Sequence, residues 1–436
     1  MGYQVPNNPR FITSSTDYYR LTGRISGMKM VTNLPTTHNF YRFIGGKPEA
    51  WASDSTYEGS GFMQRVAAFS DGGTGGAAQT GTFRDENAAY FDVLKLDPTD
   101  HKFFTIGDGN TFPDLPQAAS NYYVEWVYLL DIGAIYNNEE KSDFNTVGIL
   151  GHNFGSGGST EGSVSKVDFF GSSTFAGINY GNLDYSNATM NYALNWSKGA
   201  ASVDNTYYYN GFSLADFTGH TISDYGSGLG QLRQLKIRMY FKDDLDYSKS
   251  YNSIMFNSIF FGNTMTIGVQ PSMRLGMGRS IESTTQQTKA GHILNKRKST
   301  TKPDWFYPSW ALSGTGLRHV KKNYWGNMYR QGRKKYSLNY AFLEDSEVLP
   351  AILTDYSYGY DEYNESNAYG NVMNTGDDIY NKFLRKTSNG VLPFIFSPNQ
   401  ENTPSNFGIY RLDSSPSIRQ SAYGRYDLDL KMTEIY

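Results

Sequence analysis

The chain has 436 residues, 39% of them hydrophobic and 19% charged, with a net charge of -3, a globular balance with room for two or three domains. It has no cysteine, which excludes disulfides, thiolate nucleophiles and Cys-ligated metal centres and leads us to expect either folding in a reducing cytosol or a fold that needs no disulfide staple. Its 35 Tyr, 27 Phe and 45 Gly favour short strands joined by turns, because rings with one polar tip suit half-buried sheet faces and interfaces.

In chain order, MGYQVPNNPRF lacks the basic and apolar regions of a signal peptide, and no apolar run approaches the ~18 residues of a transmembrane helix. Both termini are expected to be held by neighbouring subunits. Residues 1–87 read as a loop-rich N-terminal assembly segment, with some strand or short-helix character in RLTGRISGMKM and FMQRVAAF. Within it, DGGTGGAAQTG (residues 71–81) reads as a Gly-rich connector.

Residues 88–288 read as a β-sandwich domain, jelly-roll-like, in which short strands alternate with Gly/Asn/Asp/Ser turns. YFDVLKLD is a strand with apolar residues on both faces. In LRQLKIRMYFKD, Leu235, Ile237, Met239 and Phe241 share one face.

Residues 289–436 read as a small α+β unit with a basic linker at its start. Tyr336, Leu338, Tyr340 and Phe342 alternate with polar or small residues as in a half-buried strand, and Tyr426, Leu428, Leu430 and Met432 alternate with charges. Between them TGDDIYNKFLRKTSNG predicts the one clear helix. Thr375 can cap it, Ile379 and Phe383 share a face, and Asn389-Gly390 supply a left-handed stop. The fold class is therefore mainly β: a sandwich plus a C-terminal α+β unit.

Motifs for chemistry are sparse. No two of the six histidines lie within four residues of each other, and there is no HExxH helix. Gly46-Lys47 is followed by Pro48, so it is no P-loop, and GSGGST does not fit a nucleophile elbow. The acidic pairs sit in turns or at a helix start, where acids are ordinary. We therefore nominate no catalytic residue, cofactor or metal ligand and expect a non-enzyme. GILGHNFGSGGST invites a phosphate-loop reading, but no Lys-Ser/Thr follows it. It reads instead as a strand over residues 146–150 ending in a structural turn of Gly151, His152, Asn153 and Gly155.

Charge is unevenly spread. Residues 289–336 carry 12 Lys/Arg against one acid, Asp304. The block reads as a solvated loop, as a surface that docks an acidic neighbour, or as a nucleic-acid contact. The last is disfavoured because no helix or zinc motif is present to enter a groove. The assembly-interface candidates are Lys296, Arg297, Lys298, Trp305, Trp310, Arg333, Lys334, Lys335 and Tyr436.

NNPRFITSSTDYYRLTGRI resembles the start of structural proteins of tailed bacteriophages, where a PRF-type segment and a tyrosine precede a glycine. GILGHNFGSGG resembles a turn of phage virion β-sandwich domains. The order RKKYSLNYAFLEDSEV, FLRKTSNGVLPFIFSP and RYDLDLKMTEIY resembles the tail-hub type of fold. In that fold, used by ring-forming distal-tail and related proteins, a split β-barrel carries one flanking helix. The resemblance implies a non-enzymatic tail or baseplate subunit, made in the host cytoplasm and placed in the virion. It implies self-association, with a hexameric ring as one arrangement, and docking to other tail proteins, without nucleic acid or membrane. Two other readings stay open. One is a receptor-binding fibre or tail-tip module that binds host glycan through Trp305 and Trp310. The other is a glycan hydrolase, which needs a carboxylate pair that the sequence does not display.

Overall fold

The structure is a computed structural model and describes residues 8–23, 25–32, 39–43, 63–69, 79–83, 96, 103–107, 123–130, 146–150, 164–172, 190–194, 206–209, 212–216, 234–241, 255–272, 276–280, 283–287, 289, 293–297, 333–349, 378–398 and 408–435. The described chain is mainly β, as composition and patterning predict. The strands of its first half are β1 (Arg10–Ser14), β2 (Ile25–Thr32), β3 (Asn39–Phe43), β4 (Met63–Phe69), β5 (Gln79–Phe83), β6 (Phe103–Gly107), β7 (Tyr123–Leu130), β8 (Thr146–Leu150), β9 (Val164–Ser172), β10 (Met190–Leu194), β11 (Thr206–Tyr209) and β12 (Phe212–Asp216). There follow β13 (Gln234–Phe241), β14 (Met255–Phe256), β15 (Ser258–Thr266), β16 (Gly276–Ser280), β17 (Ser283–Gln287), β18 (Ile293–Arg297), β19 (Arg333–Glu344), β20 (Phe394–Ser397), β21 (Gly408–Leu412), β22 (Ser417–Ala422) and β23 (Arg425–Glu434). The described helical elements are α1 (Ser15–Leu21), α2 (Asp345–Val348) and a π-helix, Tyr380–Arg385.

The strands form two large sheets and a hairpin. One sheet runs β11-β12-β8-β15-β1-β20-β21-β23-β19-β16, with β22 added beside β23. The second runs β10-β9-β13-β7-β2-β5-β4-β3-β6-β14, and β17 pairs with β18 alone. The first sheet draws strands from all three expected segments. Residues 1–87, expected to be loop-rich, contribute five strands and α1. Of the expected Gly-rich connector, residues 79–81 lie in β5 and the rest falls outside the described residues.

The first strand is central. β1 lies antiparallel between β15 and β20, with Ile12 opposite Thr264 on one side and Ile395 on the other. Its residues alternate between two cores, as a strand covered on both faces must. Phe11 joins Phe383, Phe394 and Phe396, with ring centroids 5.0, 6.1 and 5.2 Å away. Ile12 points the other way, into a cluster with Leu96, Leu150, Phe260, Ile395, Ile409 and Ile435. Ser14 then caps α1 by accepting the Asp17 N–H at 3.1 Å.

The Phe11 side holds the larger core. Tyr336, Leu338 and Tyr340 of β19, Leu428, Leu430 and Met432 of β23, and Tyr410 of β21 all share it with Ile379, Phe383 and Leu384. The expected helix is a π-helix in its described part. Thr375 lies outside the described residues, and the capping is done by Asp378, which accepts the Asn381 N–H at 2.8 Å. The left-handed stop is present: φ is 56° at Asn389 and 91° at Gly390. The chain leaving β15 comes back to the far side of this core, where the Ser272 N–H donates to the Asn339 carbonyl of β19 at 2.7 Å.

Candidate functional site

The sequence nominated a basic block, and part of it is placed by strands. Lys296 and Arg297 were expected in a linker. They lie instead in β18, opposite Thr284 and Ser283 of β17. Arg333, Lys334 and Lys335 open β19, opposite Ser280, Arg279 and Gly278 of β16. The alternation that buries Tyr336 also sorts these cations. Lys335 is exposed on the outer face, whereas Lys334 shares its parity with the core row. The Lys334 N–H donates to Oε2 of the buried Glu434 at 3.0 Å. Lys298, Trp305, Trp310 and Tyr436 lie outside the described residues, as do Gly151, His152, Asn153 and Gly155 and all six histidines. The strand leading into that turn is present as β8, Thr146–Leu150. Among the described residues no group of His, Asp or Glu has the arrangement to hold a metal.

A feature that sequence patterning misses lies further along β19. Strict alternation from Tyr336 puts Phe342 inside. Instead Phe342 is 68% exposed and Leu343 is buried. The cause is a β-bulge: Tyr340 pairs with Leu428 but Leu343 pairs with Tyr426, so β19 holds one extra residue. Phe342 takes up the kink with φ at 62°, a left-handed value that is an outlier for a bulky side chain. Its N–H donates to Asp427 Oδ1 at 3.2 Å. The signal in the sequence was the apolar pair Phe342-Leu343 just before Glu344, which breaks the period of two.

Around Phe342 the outer face of β19, β23 and β22 is charged. The Asn339 amide donates to Asp429 Oδ1 at 2.6 Å. Arg425 Nη1 meets Glu344 Oε1 at 2.8 Å, with both side chains about half exposed, a pair worth little for stability. Arg419 of β22 sits opposite Asp427, and Lys431 opposite Ser337. The Asp413 N–H donates to the Lys431 carbonyl at 2.8 Å, which carries the pairing past the end of β21. Tyr423, fully exposed, forms the tip of the β22–β23 hairpin.

The N-terminal segment is tied to the core by a second set of charges. Lys386 Nζ lies 4.9 and 4.7 Å from the ring centroids of Tyr18 and Tyr19 and donates to Tyr19 Oη at 3.2 Å. The buried Asp17 accepts from Arg20 at 2.9 and 2.7 Å and from the Leu96 N–H at 3.4 Å. These contacts fix α1 beside the π-helix; they are architecture. The polar outer face of β19, β23 and β22 holds the exposed Phe342 ring among charged side chains. No protein-family model and no curated protein sequence matches the chain.

Proposed function

We propose that the chain is a non-enzymatic structural subunit of a phage tail or baseplate, one that self-associates and docks neighbouring virion proteins. The observation that carries this reading is the single core that β15, β1, β20, β21, β23 and β19 share with the π-helix, with the Ser272 N–H donating to the Asn339 carbonyl. That arrangement supports a split barrel with a flanking helix, the architecture the sequence resemblance implies. The ten-stranded sheet is read as belonging to a jelly-roll-like sandwich, supported by its short antiparallel strands. Rigid cores that leave a charged face with aromatic tips suit a subunit whose work is contact.

The test has two arms. Purified chain is sized by chromatography with light scattering, and intact phage particles are searched for it by mass spectrometry and electron microscopy. A defined oligomer present in fixed copy number in particles is the expected result. A monomer absent from particles overturns the reading.

A further inference from the structure

We propose that the outer face of β19, β23 and β22 is a two-fold docking surface for a second copy of this chain, with Phe342 as its apolar anchor. The inference rests on the self-association reading above and names the surface that carries it.

The argument comes from the order of charges along the strands. The rungs of this face, read from one end, are Lys335 with Thr433, Ser337 with Lys431 and Asn339 with Asp429. Next come the bulge at Ala341 and Phe342 beside Asp427, then Glu344 with Arg425. A third column flanks β23: Arg411 beside Thr433, Asp413 beside Lys431, Ser417 beside Asp429 and Arg419 beside Asp427. Now place a second copy face to face, with the two-fold axis crossing the strands at the Asn339–Asp429 rung. Lys335 then meets Glu344 of the second copy, Lys431 meets Asp427, and Arg419 meets Asp413. Each pair occurs twice by symmetry. Three opposite-charge pairs, each made twice, outweigh the one like-charge contact, Asp429 against its own copy on the axis, where the Asn339 amide already donates to it; the pattern is self-complementary. Lys335, Asp413, Arg419, Lys431 and Glu344 are all exposed.

Phe342 falls into the same scheme. A single exposed apolar side chain is ordinary, but this one is held outward by a bulge and a left-handed backbone. The two-fold sets its ring against Ser337 and the methylene stem of Lys431 of the second copy, an apolar floor among the ion pairs. Bulges commonly re-aim a side chain toward a partner, and strained backbone at a surface points to a contact that uses it.

The experiment is a charge swap on the full chain, read by analytical ultracentrifugation. Arg419→Asp alone and Asp413→Arg alone each set like charges against each other in the two-fold, so each weakens self-association. Mixed in equal amounts, the two variants pair opposite charges again and association returns toward the wild-type level. Misfolding of either variant does not imitate that recovery. Phe342→Asn keeps a residue that accepts positive φ and raises the dissociation constant about tenfold, the effect of losing one anchor residue, with unchanged thermal stability. An oligomer whose affinity ignores all three substitutions overturns this face and leaves self-association standing. An odd-numbered assembly overturns the two-fold, because a face that packs on itself uses copies in pairs. A wild-type monomer overturns both the face and the reading it rests on.

Discussion

β1 and β23 belong to one sheet, yet their second faces meet different worlds. β1 is buried along its whole length, with Phe11 in one core and Ile12 in the other. β23 buries Leu428, Leu430 and Met432 and turns Asp427, Asp429 and Lys431 outward. The difference separates two duties. A strand covered on both faces has no residue to spare for recognition, so its side chains carry stability. A strand covered on one face keeps an outer row free to meet a partner. The largest test of that division is Phe11→Ala. It removes a ring that touches three others and should cost about 4 kcal/mol, seen as a lower urea midpoint with an unchanged slope. Lys431→Ala, in contrast, should stay within about 0.5 kcal/mol. Equal losses in the two variants would break the comparison.

The pairing of β1 with β15 sharpens it at the level of backbone. A Cβ on Gly262 would lie 2.1 Å from the Thr13 carbonyl oxygen. That atom belongs to a central strand and cannot swing aside as a side chain would. Gly262→Ala should therefore push the two strands apart and cost about 3 kcal/mol, the upper range for overpacking. Hydrogen exchange should locate the damage, with faster exchange at the amides shared by β1 and β15 and little change in the hairpin of β22 and β23. Uniform change across both regions would show that they melt as one unit and do not differ in the way argued.

The same contrast explains what could be read before the structure. The alternation of Leu428, Leu430 and Met432 and of Tyr336, Leu338 and Tyr340 was legible because one side of each strand is wetter than the other. Asn389-Gly390 was legible because a left-handed stop has few residue choices. RFITS carried no such period, being buried on both faces, and its partners are remote. Thr13 donates to the carbonyls of Asn263 and Lys382, 250 and 369 residues away. A local window cannot hold that information, so the segment read as loop. The basic run Arg333 to Lys335 was visible because it is contiguous. The acids of the same sheet, Asp413, Asp427 and Glu344, come from three strands or their ends and are brought onto one face only through register. Phe342 was misplaced because one extra residue inverts every later side chain in a strand.

The smallest expected effect lies on the inner row of β19, beside β23. Tyr340 is fully buried and its hydroxyl has no hydrogen-bond partner among the described residues. Burial pushes its ionisation far above the ordinary phenol range. The consequence for stability has a definite sign. Below about pH 10 the hydroxyl is protonated in both folded and unfolded chains. Above it, unfolded chains release the proton while folded chains keep it, so the folded state loses ground as pH rises. Tyr340→Phe keeps the ring and removes both burdens. It should stabilise the chain by about 1 kcal/mol at neutral pH, the desolvation cost of an unpaired hydroxyl. Its advantage over the wild type should then widen between about pH 10 and pH 12. Urea midpoints of the two proteins at about pH 7 and about pH 11 decide it, because the remaining tyrosines are common to both and cancel in the difference. A variant less stable than wild type at neutral pH would mean that the hydroxyl is held by a hydrogen bond. The inner row would then be a polar network, and the line between a stabilising face and a contacting face would have to be redrawn one strand further in.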